Sequence, residues 1–116
     1  MSKLLPWFFG LLVAYLIFRR FFGKANPAAA RQLVAEGALL LDVRSGGEFA
    51  SHHLPGAVHI PVGELARRMS ELGPDKARPV VVYCASGVRS ASAASLLRSA
   101  GFGAVHDLGA MSRWQG

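Results

Sequence analysis

The sequence predicts an α/β protein in which a parallel sheet carries helices on both faces, preceded by one transmembrane helix. Three observations support this fold class. Short apolar stretches alternate with stretches of helical character, as in sheets built from strand–helix–strand units. The run Val80–Tyr83 is apolar without alternation, as expected of a strand buried on both faces. A continuous apolar stretch precedes all of these elements at the N-terminus.

The N-terminal stretch is the predicted transmembrane helix. Residues 4–18 are apolar apart from Pro6 and Gly10, and apolar side chains resume after two arginines. As a helix, residues 4–22 measure about 28 Å, close to the ~30 Å hydrocarbon core of a bilayer. We therefore expect residues 4–22 to contact the membrane and residues 1–24 to form an anchor with a basic flank.

The distribution of positive charge predicts the orientation of this anchor. Lys3 precedes the apolar stretch, whereas Arg19, Arg20, Lys24 and Arg31 follow it. By the positive-inside rule, we expect a single-pass membrane protein whose domain, residues 25–116, faces the cytoplasm. A cleaved signal peptide is the alternative, because the small residues at 28–30 fit a cleavage site.

Composition excludes several functions. Four of the 13 basic residues lie in the first 24 positions, which leaves nine against seven acidic residues and a net charge of only +2 for the domain. No basic stripe with interleaved aromatic residues follows, so we expect no nucleic-acid partner. The single cysteine excludes an intrachain disulfide. Histidines without further ligands at metal spacing predict neither a metal site nor a cofactor.

Local signals mark the first elements of the domain. Asn26–Pro27 pairs an N-cap residue with proline at the first helical position and predicts a helix that stops at Gly37. Residues 39–41 are expected to form a buried strand, with Asp42 and Arg44 at its carboxyl end. Ligands of parallel sheets gather at that edge.

The later elements follow from similar signals. Ser45 and Glu48 have the spacing of a capping box and predict a short helix through Phe49. A turn, a short strand and an amphipathic helix are predicted at residues 54–56, 57–60 and 64–72. After the strand at 80–83 we expect a helix over 90–100, a strand over 104–107 and a turn over 111–114 that packs Trp114 on the core.

Cys84 stands between the central strand and the following helix, at the same edge of the sheet as Asp42 and Arg44. Loop N–H groups and the positive end of the helix dipole converge there and favour an anion. A thiol in such a place has a pKa below its usual value of about 8.5, so the thiolate is the expected form. Gly87 allows a sharp loop, and Arg89 offers donors to a bound oxyanion. The alternative is that Cys84 is a small apolar core residue.

Several stretches resemble one family, in its order along the chain. Cys84–Ser90 is similar to the active-site loop of single-domain rhodanese sulfurtransferases. Leu41–Arg44 with Glu48–Phe49, and His53–Pro61, match two further motifs of that family, and Leu108–Ala110 with Trp114 match more weakly. The resemblance covers residues 26–116. His52 and Ala110 depart from it, because many relatives have glycine at these positions.

The resemblance implies the rhodanese fold and a sulfurtransferase activity. Cys84 is expected to take a sulfane sulfur from a small anionic donor, thiosulfate or a persulfide, and to pass it to a thiol or cyanide acceptor through a Cys84 persulfide. The loop that binds donor and persulfide comprises Ala85, Ser86, Gly87, Val88, Arg89 and Ser90. Supporting structural roles are expected for Asp42, Arg44 and His53.

Two other functions compete with sulfur transfer. Phosphatases related to rhodanese place five residues between Cys and Arg, whereas only four separate Cys84 from Arg89. The shorter loop suits the single added sulfur of a persulfide better than a phosphoryl group. The second alternative is a membrane-tethered, non-enzymatic module for binding or redox sensing, since some rhodanese-like modules keep the fold without the chemistry.

Overall fold

The computed structural model describes residues 8–15 and 23–115. Its strands are β1 (Leu39–Asp42), β2 (Val58–His59), β3 (Val80–Cys84) and β4 (Val105–Ala110). They form a four-stranded sheet in the order β2-β1-β3-β4, and each neighbouring pair is parallel. The helices of the domain are α1 (Pro27–Ala35), α2 (Gly46–Ser51), α3 (Val62–Arg68) and α4 (Val88–Ser99), with 3-10 turns at Met69–Leu72 and Met111–Gln115. The predicted parallel α/β sheet is confirmed.

The two faces of the sheet carry separate apolar clusters, because neighbouring strand residues point to opposite sides. One cluster joins β1 and β3 to α3 and α4, and its members include Leu41, Val43, Val82, Cys84, Leu65 and Leu97. The other joins the same strands to α1 and the last 3-10 turn, and its members include Leu40, Val81, Tyr83, Ala30 and Trp114. The expected packing of helices on both faces, and of Trp114 on the core, is therefore confirmed.

Helix starts agree with the capping signals. The Asn26 side chain accepts hydrogen bonds from the N–H groups of Ala28 and Ala29 at 2.9 and 3.2 Å, and Pro27 opens α1. Ser45 and Glu48 form the predicted capping box of α2. The residue at which each helix begins is thus determined by side chains within four positions of that start.

Three boundaries differ from the prediction for structural reasons. The helix expected over 64–72 is α3 followed by a 3-10 turn, which tightens its last residues. α4 begins two positions early, at Val88, because Gly87 takes a left-handed φ of 104° and turns the chain into the helix there. β4 continues to Ala110, because it pairs with β3 as far as Cys84 across a register shift.

The N-terminal membrane anchor is the part of the fold prediction that is wrong. In the described part of the chain, helical backbone precedes the domain at residues 8–15, and no helix is both long and apolar enough to cross a bilayer. The single-pass placement with a cytoplasmic domain rested on that helix and is wrong with it. The rest of the predicted span, residues 4–7 and 16–22, lies outside the described residues.

A buried polar network ties the sheet to the turn that follows α2. Arg44 binds both carboxylate oxygens of Asp42, with Nη2 2.7 Å from Oδ2, and donates to the carbonyl of His52 at 2.5 Å. The Tyr83 hydroxyl bonds to Asp42 and accepts the Leu54 N–H at 3.1 Å. Burial alone raises the pKa of Asp42, but these hydrogen bonds outweigh it and hold that pKa below its ordinary value.

Removal of the Tyr83 hydroxyl tests this network. In Tyr83→Phe, the Leu54 N–H and one acceptor site of Asp42 lose their buried partner. We expect the free energy of unfolding to fall by about 1–3 kcal/mol, measured by urea denaturation followed by circular dichroism. Tyr15→Phe is the matched control, because it deletes the same atom from a side chain that is 58% exposed. Equal stability of the two variants would contradict the assigned role.

Candidate active site

Cys84 lies at the carboxyl end of the central strand, at the bottom of the loop that leads into α4. Its side chain is fully buried among the apolar residues under α4, so the alternative of a packed core cysteine describes its surroundings correctly. Its sulfur is nevertheless hydrogen-bonded, because the Gly87 N–H donates to Sγ at 2.9 Å. A purely apolar role does not require a donor aimed at the sulfur.

The donors around Sγ decide the charge state of the thiol. Burial by itself raises the pKa of Cys84, but hydrogen bonds from the Ser90 side chain and from the N–H groups of Ser90, Gly87 and Ser86 outweigh it. The pKa of the Cys84 thiol is therefore held below its ordinary value. In this structure the Ser90 hydroxyl donates to the Gly87 carbonyl oxygen at 3.1 Å, and its one proton serves one acceptor at a time. A thiolate is the stronger acceptor of the two because it is charged.

Loop residues differ in exposure. Gly87 and Ser90 are buried, whereas Ala85 and Ser86 are exposed and the Val88 side chain is 76% exposed. Gly87 needs its left-handed φ of 104°, a conformation that side chains oppose. The loop thus presents backbone donors inward and small side chains outward.

Arg89 is held differently from the prediction. The sequence suggested that its donors face a bound oxyanion, but Nη1 and Nη2 lie 2.7 and 3.1 Å from the two carboxylate oxygens of Glu48. Glu48 also accepts the Ser45 N–H of the capping box at 2.9 Å. Arg89 and then these Ser45 contacts lower the pKa of Glu48 to about 2, so the carboxylate stays charged. The pair fixes the start of α4 to α2.

The three predicted supporting residues do not contact the sulfur. Asp42 reaches the same edge of the sheet as Cys84, as expected, but its side chain bonds to Tyr83 on the opposite face. Arg44 belongs to that network. His53 lies beyond it, with Nδ1 2.8 Å from the carbonyl oxygen of Phe49 and its ring stacked on Phe49 at a centroid distance of 3.8 Å. Arg44 and His53 bond instead to the carbonyl groups of His52 and Phe49, next to and within α2.

Sequence reasoning missed two residues of this site. Glu48 was recognised as a capping residue but not as the partner of Arg89. Lys24 was assigned to a membrane flank, yet its Nζ is 3.3 Å from the carbonyl oxygen of Gly87. No local pattern finds either contact, because the partners are 41 and 63 positions apart in the chain. Among the described residues, no group of three His, Cys, Asp or Glu side chains is arranged to hold a metal ion.

Comparison with known proteins places this site in a family. The model of the rhodanese-like domain matches residues 26–116. Thiosulfate sulfurtransferase GlpE of Pseudomonas savastanoi pv. phaseolicola is 36% identical over 95 residues, which cover 81% of this chain and 88% of that protein. The uncharacterized protein YqhL of Bacillus subtilis is 41% identical over 80 residues, 68% of this chain and 62% of that protein.

Solved structures give the same result. The human single-domain sulfurtransferase TSTD1 superposes with a TM-score of 0.66 and 33% sequence identity, and the match covers 76% of this chain and 90% of that one. Because the family model matches residues 26–116, most of its length, the chain belongs to the rhodanese-like domain family.

Proposed function

We propose that this protein is a sulfurtransferase that carries a sulfane sulfur on Cys84. The observation that carries the proposal is a buried thiol with a lowered pKa, ringed by hydrogen-bond donors at the carboxyl edge of a rhodanese-like sheet. Relatives named thiosulfate sulfurtransferase and single-domain sulfurtransferase support the same reaction type. Thiosulfate and low-molecular-weight persulfides are the proposed donors.

The first step loads the cysteine. The Cys84 thiolate attacks the outer sulfur of the donor, a bond forms between the two sulfurs, and the S–S or S–sulfonate bond of the donor breaks. Sulfite, or the thiolate of a persulfide donor, leaves with the bonding electron pair. Cys84 then carries a persulfide, whose outer sulfur keeps the negative charge that it had in the donor anion.

The second step transfers the outer sulfur from Cys84 to the acceptor. An acceptor thiolate, or cyanide, attacks the outer sulfur of the persulfide, and the Cys84 thiolate leaves as the free enzyme. The chain contains one cysteine, so the acceptor must be an external nucleophile rather than a resolving cysteine of the same chain. Two separated half-reactions predict ping-pong kinetics.

The loop stabilises the charge in both steps. N–H groups of Ser86, Gly87 and Ser90 already converge on Sγ, and the same donors can hold the added sulfur, in the manner of an oxyanion hole. Arg89 supplies positive charge beside them. Its pair with Glu48 uses two of the five guanidinium donors, which leaves others for an anionic donor molecule. Asp42, Arg44 and His53 are proposed to keep the neighbouring turn in place.

Intact-mass measurement tests the sulfur transfer. We expect the full-length chain to gain one sulfur after incubation with thiosulfate or with glutathione persulfide, and to lose it when cyanide is added. Cys84→Ser is the control and should gain nothing. The two donors, tested separately, show which class loads the enzyme. No gain from either donor, with Cys84 still open to alkylation, would instead favour a binding or redox-sensing module.

The Ser90 hydroxyl is predicted to set the pH range of the thiolate. Because the pKa of Cys84 is lowered, reactivity should extend to lower pH than for an ordinary thiol and be lost as pH falls through that pKa. Ser90→Ala removes a hydrogen bond to a charged sulfur. It should therefore shift the pH midpoint of iodoacetamide alkylation upward by about one unit, since such a bond contributes on the order of 1.5 kcal/mol. Ser92→Ala, an exposed serine of the same helix, should leave the midpoint unchanged. An equal midpoint in both variants would exclude this role.

A further inference from the structure

Lys24 lies beside the Cys84 loop and is fixed there by Asp107 of β4. Its Nζ is 2.7 Å from Oδ2 of Asp107 and 3.3 Å from the carbonyl oxygen of Gly87. Asp107 is buried, and its other oxygen accepts the Gly109 N–H at 2.9 Å. The backbone is held as well, because the Ala25 N–H donates to the Asp107 carbonyl at 2.7 Å. The ammonium therefore has a defined position.

Two glycines leave the space through which the Lys24 side chain passes. A Cβ on Gly109 would lie 3.2 Å from Cδ of Lys24, closer than side chains normally approach, and a Cβ on Gly87 would lie 3.6 Å from Nζ. Arg113, the other cation beside Gly109, donates instead to the Leu108 carbonyl. The Lys24 side chain thus fits beside the loop because glycines, and not larger residues, stand at positions 87 and 109.

Gly87 links this lysine to the sulfur. Its carbonyl oxygen accepts from Lys24 Nζ at 3.3 Å, from the Ala91 N–H at 3.2 Å and from the Ser90 hydroxyl at 3.1 Å. Its own N–H donates to Cys84 Sγ at 2.9 Å. A left-handed glycine lacks the side chain that would restrict its backbone, so its orientation depends on such contacts. Only the two backbone dihedral angles of Gly87 separate its carbonyl from its N–H, so a contact that holds the carbonyl limits how far the N–H can turn away from the sulfur.

We propose that Lys24 is a positioning residue for sulfur transfer: anchored by Asp107, its ammonium holds the Gly87 carbonyl so that the Gly87 N–H stays aimed at the sulfur of Cys84. The inference rests on the proposed function and deepens it, because it assigns part of the loop geometry to a residue outside the loop motif. Lys24 acts through Gly87 and does not touch the reacting atoms in this structure.

The pH dependence of Cys84 alkylation in the full-length chain tests the proposal. Lys24→Met should shift the pH midpoint of iodoacetamide alkylation upward by about half a pH unit or more. In this variant the Gly87 N–H is no longer held toward the thiolate, and a nearby positive charge is lost. Lys76→Met is the matched control. It removes the same charge from a lysine that binds the Ala100 carbonyl, ahead of the amino end of β3. No shift, or an equal shift in both variants, would overturn the proposal.

A double variant separates positioning from the charge of Asp107. Lys24→Met leaves that buried carboxylate unpaired, which can destabilise the fold and can itself disfavour the thiolate. Lys24→Met with Asp107→Asn removes the charge and keeps an oxygen for the Gly109 N–H. The proposal expects the upward shift to persist in the double variant. A return to the wild-type midpoint would assign the effect to Asp107 and refute the role of Lys24.

Alkylation needs no sulfur donor, so this test is independent of the proposed activity. If the wild-type chain gains no sulfur from thiosulfate or glutathione persulfide, the proposed function fails while the alkylation profiles still report on Lys24. If the chain gains sulfur and the profiles of Lys24→Met and Lys76→Met coincide, the function stands and the positioning role fails.

Discussion

The site depends on keeping a buried thiol ionised, and the hydrogen bond from the Gly87 N–H to the Cys84 sulfur contributes to this. A thiol at the buried end of a central strand resists ionisation, because burial penalises its charged form. The surrounding N–H groups and the Ser90 hydroxyl reverse that preference and lower the pKa of the thiol. They converge only because the chain turns through a left-handed Gly87 directly into α4. The shape of the loop, the start of α4 and the lowered pKa of the thiol therefore all depend on the conformation of Gly87.

Two ion pairs flank this loop, and the order of the strands explains why. β3 lies between β1 and β4, so the elements that follow β1 and those at the end of β4 approach the loop from opposite sides. Glu48 binds Arg89 on the first side, and Asp107 binds Lys24 on the second. Each pair gives a long, flexible cation a fixed place. Their main effect is to order the site, since partly exposed pairs contribute little to stability.

The buried network of Asp42, Arg44 and Tyr83 has a different task. Asp42 and Cys84 end neighbouring strands at the same edge, but alternation along the strands turns their side chains to opposite faces. The network binds the carbonyl of His52 and the N–H of Leu54, and so fixes the turn after α2. That turn begins only a few residues after Glu48, the partner of Arg89. The contacts of Asp42 and Arg44 are therefore with this turn and with Tyr83, not with the cysteine.

The sequence by itself determined the order of the elements, the caps at Asn26 and Ser45, the buried central strand and the position of Cys84 before a helix. Each depends on residues within a few positions of one another. Only the tertiary structure decided which face Asp42 occupies and which partners Arg89 and Lys24 take. Those contacts join residues 41 and 83 positions apart, so no local pattern encodes them. It also overturned the membrane-spanning helix, because no helix in the described part of the chain is long and apolar enough to cross a bilayer.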